Sequence, residues 1–140
     1  MNETGRTHNL AIEATRKAAM ALVAQITAEA TEAGYSNKAI YGIGTALDEA
    51  LSNAISHGAK NDPEKRINVH YSVSDYEVRI EIEDEGKGSD KFHDDMTQES
   101  APGSGTMLMF AFMTEVRFRN RGRSVTLIKR RDCEKPRNRD

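Results

Sequence analysis

The segment from Ser36 to Gly58 can fold in few ways. Apolar residues recur at Ile40, Ile43, Leu47, Leu51, Ala54 and Ile55, the spacing of one buried helix face. Ser36 is placed to cap its start and Gly58 to end it after His57. On nearly the opposite side, Glu49, Asn53 and His57 recur every four residues. At 100° per residue they lie within about 80° of one another. A helix with a good core face thus shows a Glu-Asn-His stripe on the other. Its plain reading is a solvated face, with His57 favouring the negative end of the helix dipole.

Around this segment the periodicity changes twice. Residues 11–33 read as an earlier helix with Ile12, Ala19, Val23, Ile26 and Ala30 near one face and Gly34 as its C-cap. "INVHYSV" and "VRIEIED" alternate apolar and polar residues and read as strands joined at "SDYE". Residues 85–106 are rich in Gly, Asp and Ser, the composition of a surface loop. "TMLMFAFM" reads as a buried helix, and "EVRFRN" and "SVTLIKR" as strands of a hairpin turning at "NRG". The order α, α, β, β, loop, α, β, β predicts helices layered on a mixed or antiparallel sheet, a two-layer α/β sandwich.

Composition limits the function classes. The 140 residues, 37% hydrophobic and 30% charged, suit one globular domain over residues 1–131, with 132–140 as a basic, flexible tail. No apolar run nears the roughly 20 residues needed to span a bilayer, and the start "MNETGRTHNL" lacks a signal-peptide pattern, so a cytoplasmic location is expected. One cysteine, Cys133, excludes an intramolecular disulfide. Charge is uneven: residues 1–114 carry 10 Lys+Arg against 18 Asp+Glu, or −8, and residues 115–140 carry 10 against 4, or +6. Such a basic end can recruit nucleic acid or an acidic protein, or can simply be a solvated strand face. No aromatic residue follows Phe118, so nothing favours base stacking, and no direct nucleic-acid binding is expected.

Three constellations could carry chemistry. In the helix stripe, Glu49 can act as a general base and Asn53 can offer a neutral oxygen to Mg²⁺, which takes one or two protein oxygens and completes its octahedron elsewhere. In "VRIEIEDEGKG", Asp84 keeps the phase of Val78, Ile80 and Ile82, so the alternation aims a carboxylate where apolar side chains go. A buried carboxylate needs a donor, and an adenine amine is one; the plainer alternative is an Asp that ends the strand and caps a turn. Gly86 and Gly88 would let backbone approach a flat ligand. In "PGSGTMLM", a Gly-x-Gly loop opening a helix offers free N–H groups and a positive dipole end to phosphate. No Walker-type lysine accompanies it.

An Asn helix with Glu one turn earlier, a strand ending Asp-x-Gly-x-Gly, and a Gly-x-Gly opening a helix together resemble the Bergerat ATP-binding fold of the GHKL superfamily. "EALSNAISHG" is similar to its N box, "DEGKG" to its first glycine box and "GSGTMLM" to its second, over about residues 36–129. "NAISHG" and "MTEVRFRNRGRSVTLIKR" most resemble the small bacterial anti-sigma-factor serine protein kinases. That resemblance implies ATP and Mg²⁺ as cofactors, with Asn53 binding the metal and Glu49 as catalytic base. It implies Asp84 accepting from the adenine amine, with Gly86 and Gly88 shaping the base pocket. Gly103, Ser104, Gly105 and Thr106 would surround the phosphates under a lid of about residues 89–102, and Ser124 matches a strand hydroxyl that helps bind adenine. The implied partners are a sigma factor and an anti-sigma-factor antagonist whose serine is phosphorylated, so that partner switching regulates transcription. "RTHNLAIE" leaves room only for a short N-terminal strand, shorter than the family's, so a homodimer stays an open expectation.

Two other readings compete. A non-catalytic, nucleotide-gated protein that sequesters a partner would need the pocket but no transfer. A detached histidine-kinase catalytic domain would need a two-helix phosphoacceptor module, which nothing here resembles.

Overall fold

The structure, a computed structural model, describes residues 6–88, 92, 96–97 and 103–131. Strand β1 (Arg6–Glu13) leads into helices α1 (Arg16–Glu32) and α2 (Asn37–Asn53), the latter continued by a π-helical turn at Ala54–Gly58. Strands β2 (Arg66–Val73) and β3 (Glu77–Glu83) follow, then helix α3 (Gly103–Phe112) and the hairpin of β4 (Glu115–Arg119) and β5 (Ser124–Arg130). The strands form one antiparallel sheet in the order β1-β2-β3-β5-β4. The helices pack on one side of it, giving the expected α/β sandwich.

The first strand fills the whole of the segment expected to leave room only for a short one, and α1 starts later than expected. The strand runs eight residues and pairs along the whole of β2, from Arg6↔Val73 to Glu13↔Arg66. Ile12 therefore sits opposite Ile67 in a sheet instead of on a helix face. The reason is local as well as tertiary. Thr15, extended at φ −132°, accepts from the Ala18 N–H at 3.1 Å and starts α1 at Arg16, five residues later than the periodicity suggests. The weak helical preference upstream yields to ladder pairing, since strand propensity depends on context.

Both helices bury narrow stripes of small and branched residues against the sheet. On α1 these are Ala19, Leu22, Ile26 and Ala30; on α2 they include Ile43, Ala46, Leu47, Ala50 and Leu51. They meet Ile67, Val69, Tyr71, Val78, Ile80, Ile82 and Leu127 from the central strands. Each fully buried Leu or Ile contributes about 1.5–3 kcal/mol. Helix α3 runs antiparallel to α2: Gly42 lies against Phe112 at one end, and Glu49 against Gly105 at the other. Ser36 caps α2 as expected, accepting from the Ala39 N–H at 3.1 Å.

Of the loop expected over residues 89–102, Phe92 packs on Phe118 with ring centroids 5.0 Å apart and Met96 is buried. The rest of that expected lid, and the expected tail 132–140, lie outside the described residues. No described helix is long and apolar enough to cross a membrane.

Candidate functional site

The end of α2, its π-turn and the open ends of β3 and β5 enclose a cavity of about 370 Å³. That is the lower part of the usual range for small-molecule sites, roughly 300–1,000 Å³. Asn53, Ala54, His57 and Gly58 form one wall. Ile82 and Asp84 of the β3 strand line supply the floor with Val125 of β5, and Phe92, Met109 and Phe118 add apolar surface. Lys60, Lys87, Arg121 and Arg123 stand around it, so a mostly apolar pocket carries a basic rim.

Asp84 is the buried acid of this cavity, 8% exposed, and it keeps the phase of Val78, Ile80 and Ile82. Its Oδ1 accepts the Gly86 N–H at 2.7 Å. Burial raises its pKa; the Gly86 N–H and the charge of Arg123 oppose that rise, and neighbouring Glu83 adds to it. Two glycines make the room. A Cβ on Gly58 would overlap the Asp84 carboxyl, and one on Gly86 would come within 2.6 Å of the Gly58 carbonyl oxygen and 3.0 Å of Asp84 Oδ1. Gly58 therefore ends no helix in the left-handed sense. The chain turns instead at Lys60 (φ 54°) and Asn61 (φ 61°), and Gly58 is small because Asp84 is there. Gly88 does need its freedom: φ is 81°, and a Cβ would lie 2.8 Å from Arg121.

The π-turn changes how the helix stripe reaches the cavity. The Ala59 N–H bonds the Ala54 carbonyl at 2.8 Å and the Asn61 N–H bonds Ile55 at 2.8 Å, so residues after Asn53 leave the α-helical register. His57 still lines the cavity, but through a wider turn than the four-residue spacing assumes. Glu49, one α-turn before Asn53, is half-buried and does not line the cavity. Its carboxylate lies where a Cβ on Gly105 would be, against the first turn of α3.

The structure thus brings Asn53, Asp84 and Gly88 to one cavity, with Gly86 holding the Asp84 carboxyl and Glu49 held at the start of α3. Gly103 and Ser104 open that helix, and Thr106 is buried in its first turn. Ser124 is not brought in. It pairs with Glu83, on the sheet face away from Ile82 and Asp84, because directly opposed residues share a face. The residue across from Asp84 is Arg123, whose carbonyl accepts the Asp84 N–H at 2.9 Å. Motif spacing missed Arg123, because its place depends on which β5 residue pairs with which β3 residue. Among the described residues no group of three or more His, Cys, Asp or Glu could hold a metal. A divalent ion here would lean on Asn53 and on oxygens from a ligand, a pattern that suits Mg²⁺.

Comparison with known proteins is consistent with this geometry. Residues 12–129 match the histidine kinase-like ATPase domain family. The chain is 32% identical over 97 residues to an anti-sigma F factor of Anoxybacillus flavithermus, covering 62% of this chain and 66% of that protein. It is 29% identical over 115 residues to the serine-protein kinase RsbW of Bacillus subtilis, covering 71% of this chain and 70% of that protein. It therefore spans about two thirds of the length of these relatives. Its fold resembles that in the crystal structure of the RsbU and RsbW domains of Rv1364c from Mycobacterium tuberculosis. That likeness has a TM-score of 0.63 at 24% identity and covers 89% of this chain and 32% of that one.

Proposed function

The chain belongs to the histidine kinase-like ATPase domain family, and from that premise we propose that it is an ATP-dependent protein-serine kinase and anti-sigma factor. In this reading it phosphorylates an anti-sigma-factor antagonist, and partner switching in the cytoplasm regulates a sigma factor. The observation that carries the reading is a buried acceptor, Asp84, facing the same cavity as Asn53 on the helix wall. The absence of side chains at Gly58 and Gly86 lets the Asp84 carboxyl and the Gly58 backbone pack together, which fixes the acceptor in the cavity wall. Relatives named anti-sigma F factor and serine-protein kinase support the finer activity.

Bound Mg-ATP would supply the phosphoryl group and the metal charge. The rest falls to the chain. Asp84 accepts from the base amine, and Asn53 offers its side-chain oxygen to the metal. The first turn of α3, Gly103 to Thr106, presents N–H groups to phosphate oxygens. Glu49, poised beside Gly105, takes the proton from the incoming serine hydroxyl. Most of the catalytic effect in phosphoryl transfer comes from such positioning and charge neutralisation.

The test is Mg-ATP titration calorimetry together with transfer of a γ-phosphate label to antagonist-type proteins of the same organism. Wild type should bind and form an acid-stable phosphoserine. Asn53→Ala should lose magnesium-dependent binding. Glu49→Ala should bind within a few-fold of wild type and transfer at least about a hundredfold more slowly. Magnesium-dependent binding without any phosphoprotein would instead favour a nucleotide-gated sequestering protein. Full transfer by Glu49→Ala would remove the base assignment.

A further inference from the structure

Arg123 is a cavity residue to which no motif assigns a role. It follows the turn at Asn120–Gly122 with helical dihedrals (φ −69°, ψ −22°), and its carbonyl accepts the Asp84 N–H at 2.9 Å, one position beyond the last β3–β5 pair. Arg123 and Asp84 both line the cavity, as do Ile82 and Val125. The Arg123 charge acts on the Asp84 carboxyl. Its Nε is buried without a hydrogen-bond partner among the described residues. The residue as a whole lines the cavity beside the Asp84 carboxyl, and a guanidinium carries five N–H donors, so it can offer N–H groups to an acceptor that enters there.

An acceptor and a donor side by side on an apolar floor make a doublet. Adenine shows the complement: an exocyclic amine that donates, beside ring nitrogens that accept. We propose that Arg123 is a base-selecting residue of this site, donating from its guanidinium to an adenine ring nitrogen while Asp84 accepts from the amine. This rests on the nucleotide reading above and adds to it the second half of base recognition. Ser124, the strand hydroxyl expected to help bind adenine, does not line the cavity. A guanidinium is well suited to that task, because it stays charged and offers several donors in one plane.

The experiment is a calorimetric cycle of wild type and Arg123→Met against Mg-ATP, 1-deaza-ATP and 7-deaza-ATP, with thermal melts as a check on folding. Wild type should bind one deaza analogue about tenfold more weakly than ATP, the size of one good base contact. Arg123→Met should bind ATP about tenfold more weakly and lose nothing further on that analogue. If the variant keeps the wild-type preference for ATP over both analogues, Arg123 only balances the Asp84 charge, and the proposal is overturned. Should the variant not fold, wild type alone still decides: equal affinity for ATP and both analogues removes the ring contact. Absence of any Mg-ATP binding by wild type is a different outcome, which overturns the nucleotide reading itself and this proposal with it.

Discussion

At the scale of single residues, Asp84 shows how a candidate site can oppose stability. Its strand phase puts a carboxyl where Val78, Ile80 and Ile82 put hydrocarbon. Burial raises its pKa from the ordinary value of 3.8, so in a window above that value the native state holds a proton that the unfolded chain has released. Stability therefore falls as pH rises through that window and stays at the lower level above it. Asp84→Asn keeps an oxygen for the Gly86 N–H and carries no charge. It should melt at the same or a higher temperature than wild type near neutral pH, with the difference vanishing as pH falls toward 3.8. Mg-ATP affinity in the same variant should drop at least about tenfold. A variant that melts lower at neutral pH would mean that the charged form stabilises the fold.

At the scale of elements, the π-turn after α2 is the part of the site least predictable from periodicity. The spacing of Glu49, Asn53 and His57 assumes a continuous α-helix, and the first pair obeys it. Beyond Asn53 the i→i+5 bond from Ala59 to Ala54 widens the turn and carries Gly58 against Asp84. Gly58→Ala should therefore destabilise by about 1–3 kcal/mol, as overpacking does, even though alanine is a better helix former. The denaturant midpoint measures it. An unchanged or raised midpoint would place the Asp84 carboxyl elsewhere. The β3–β5 register is the same kind of feature. Alternation identifies both strands, but pairing alone decides that Arg123 and not Ser124 faces Asp84.

At the scale of the whole molecule, the described part of the basic C-terminal stretch, residues 115–131, divides in two. Arg117 pairs with Glu115 at 3.2 Å along β4, and Arg130 pairs with Glu115 at 2.9 Å and Glu77 at 3.6 Å, because β5 lies between β3 and β4. Arg117 and Arg130 in turn hold the Glu115 carboxyl below its usual range. Arg121 and Arg123 go to the cavity instead. Among the described residues the charge run thus serves ion pairs within the sheet and the rim of the cavity. Arg131 closes the fold at the far end of β3 from the cavity. Its guanidinium donates to the carbonyls of Asp75 (2.7 Å), Ala33 (2.6 Å) and Gly34 (3.1 Å) and lies 4.0 Å from the Tyr35 ring centroid. The carbonyls of Ala33 and Gly34 are open ones at the end of α1, and that of Asp75 belongs to the β2–β3 turn. Arg131→Ala should cost about 2 kcal/mol in chemical denaturation, with Arg131→Lys recovering less than half. Nucleotide affinity should not change in either variant; a loss would tie the two ends of β3 together.

What the sequence alone determined is whatever depends on local period and residue type. This covers α2 with its Ser36 cap, the alternating strands, the hairpin at Asn120–Gly122, and the phase that aims Asp84 inward. Tertiary structure decided what depends on partners distant along the chain. The strand at Arg6–Glu13 exists because β2 offers a ladder to pair with, although its last residues could equally begin a helix. Gly58 is required by a carboxyl 26 positions away, and Arg123 reaches the site through a register that no spacing encodes. Periodicity is written along one segment, whereas contacts between segments depend on how the layers close around a common core.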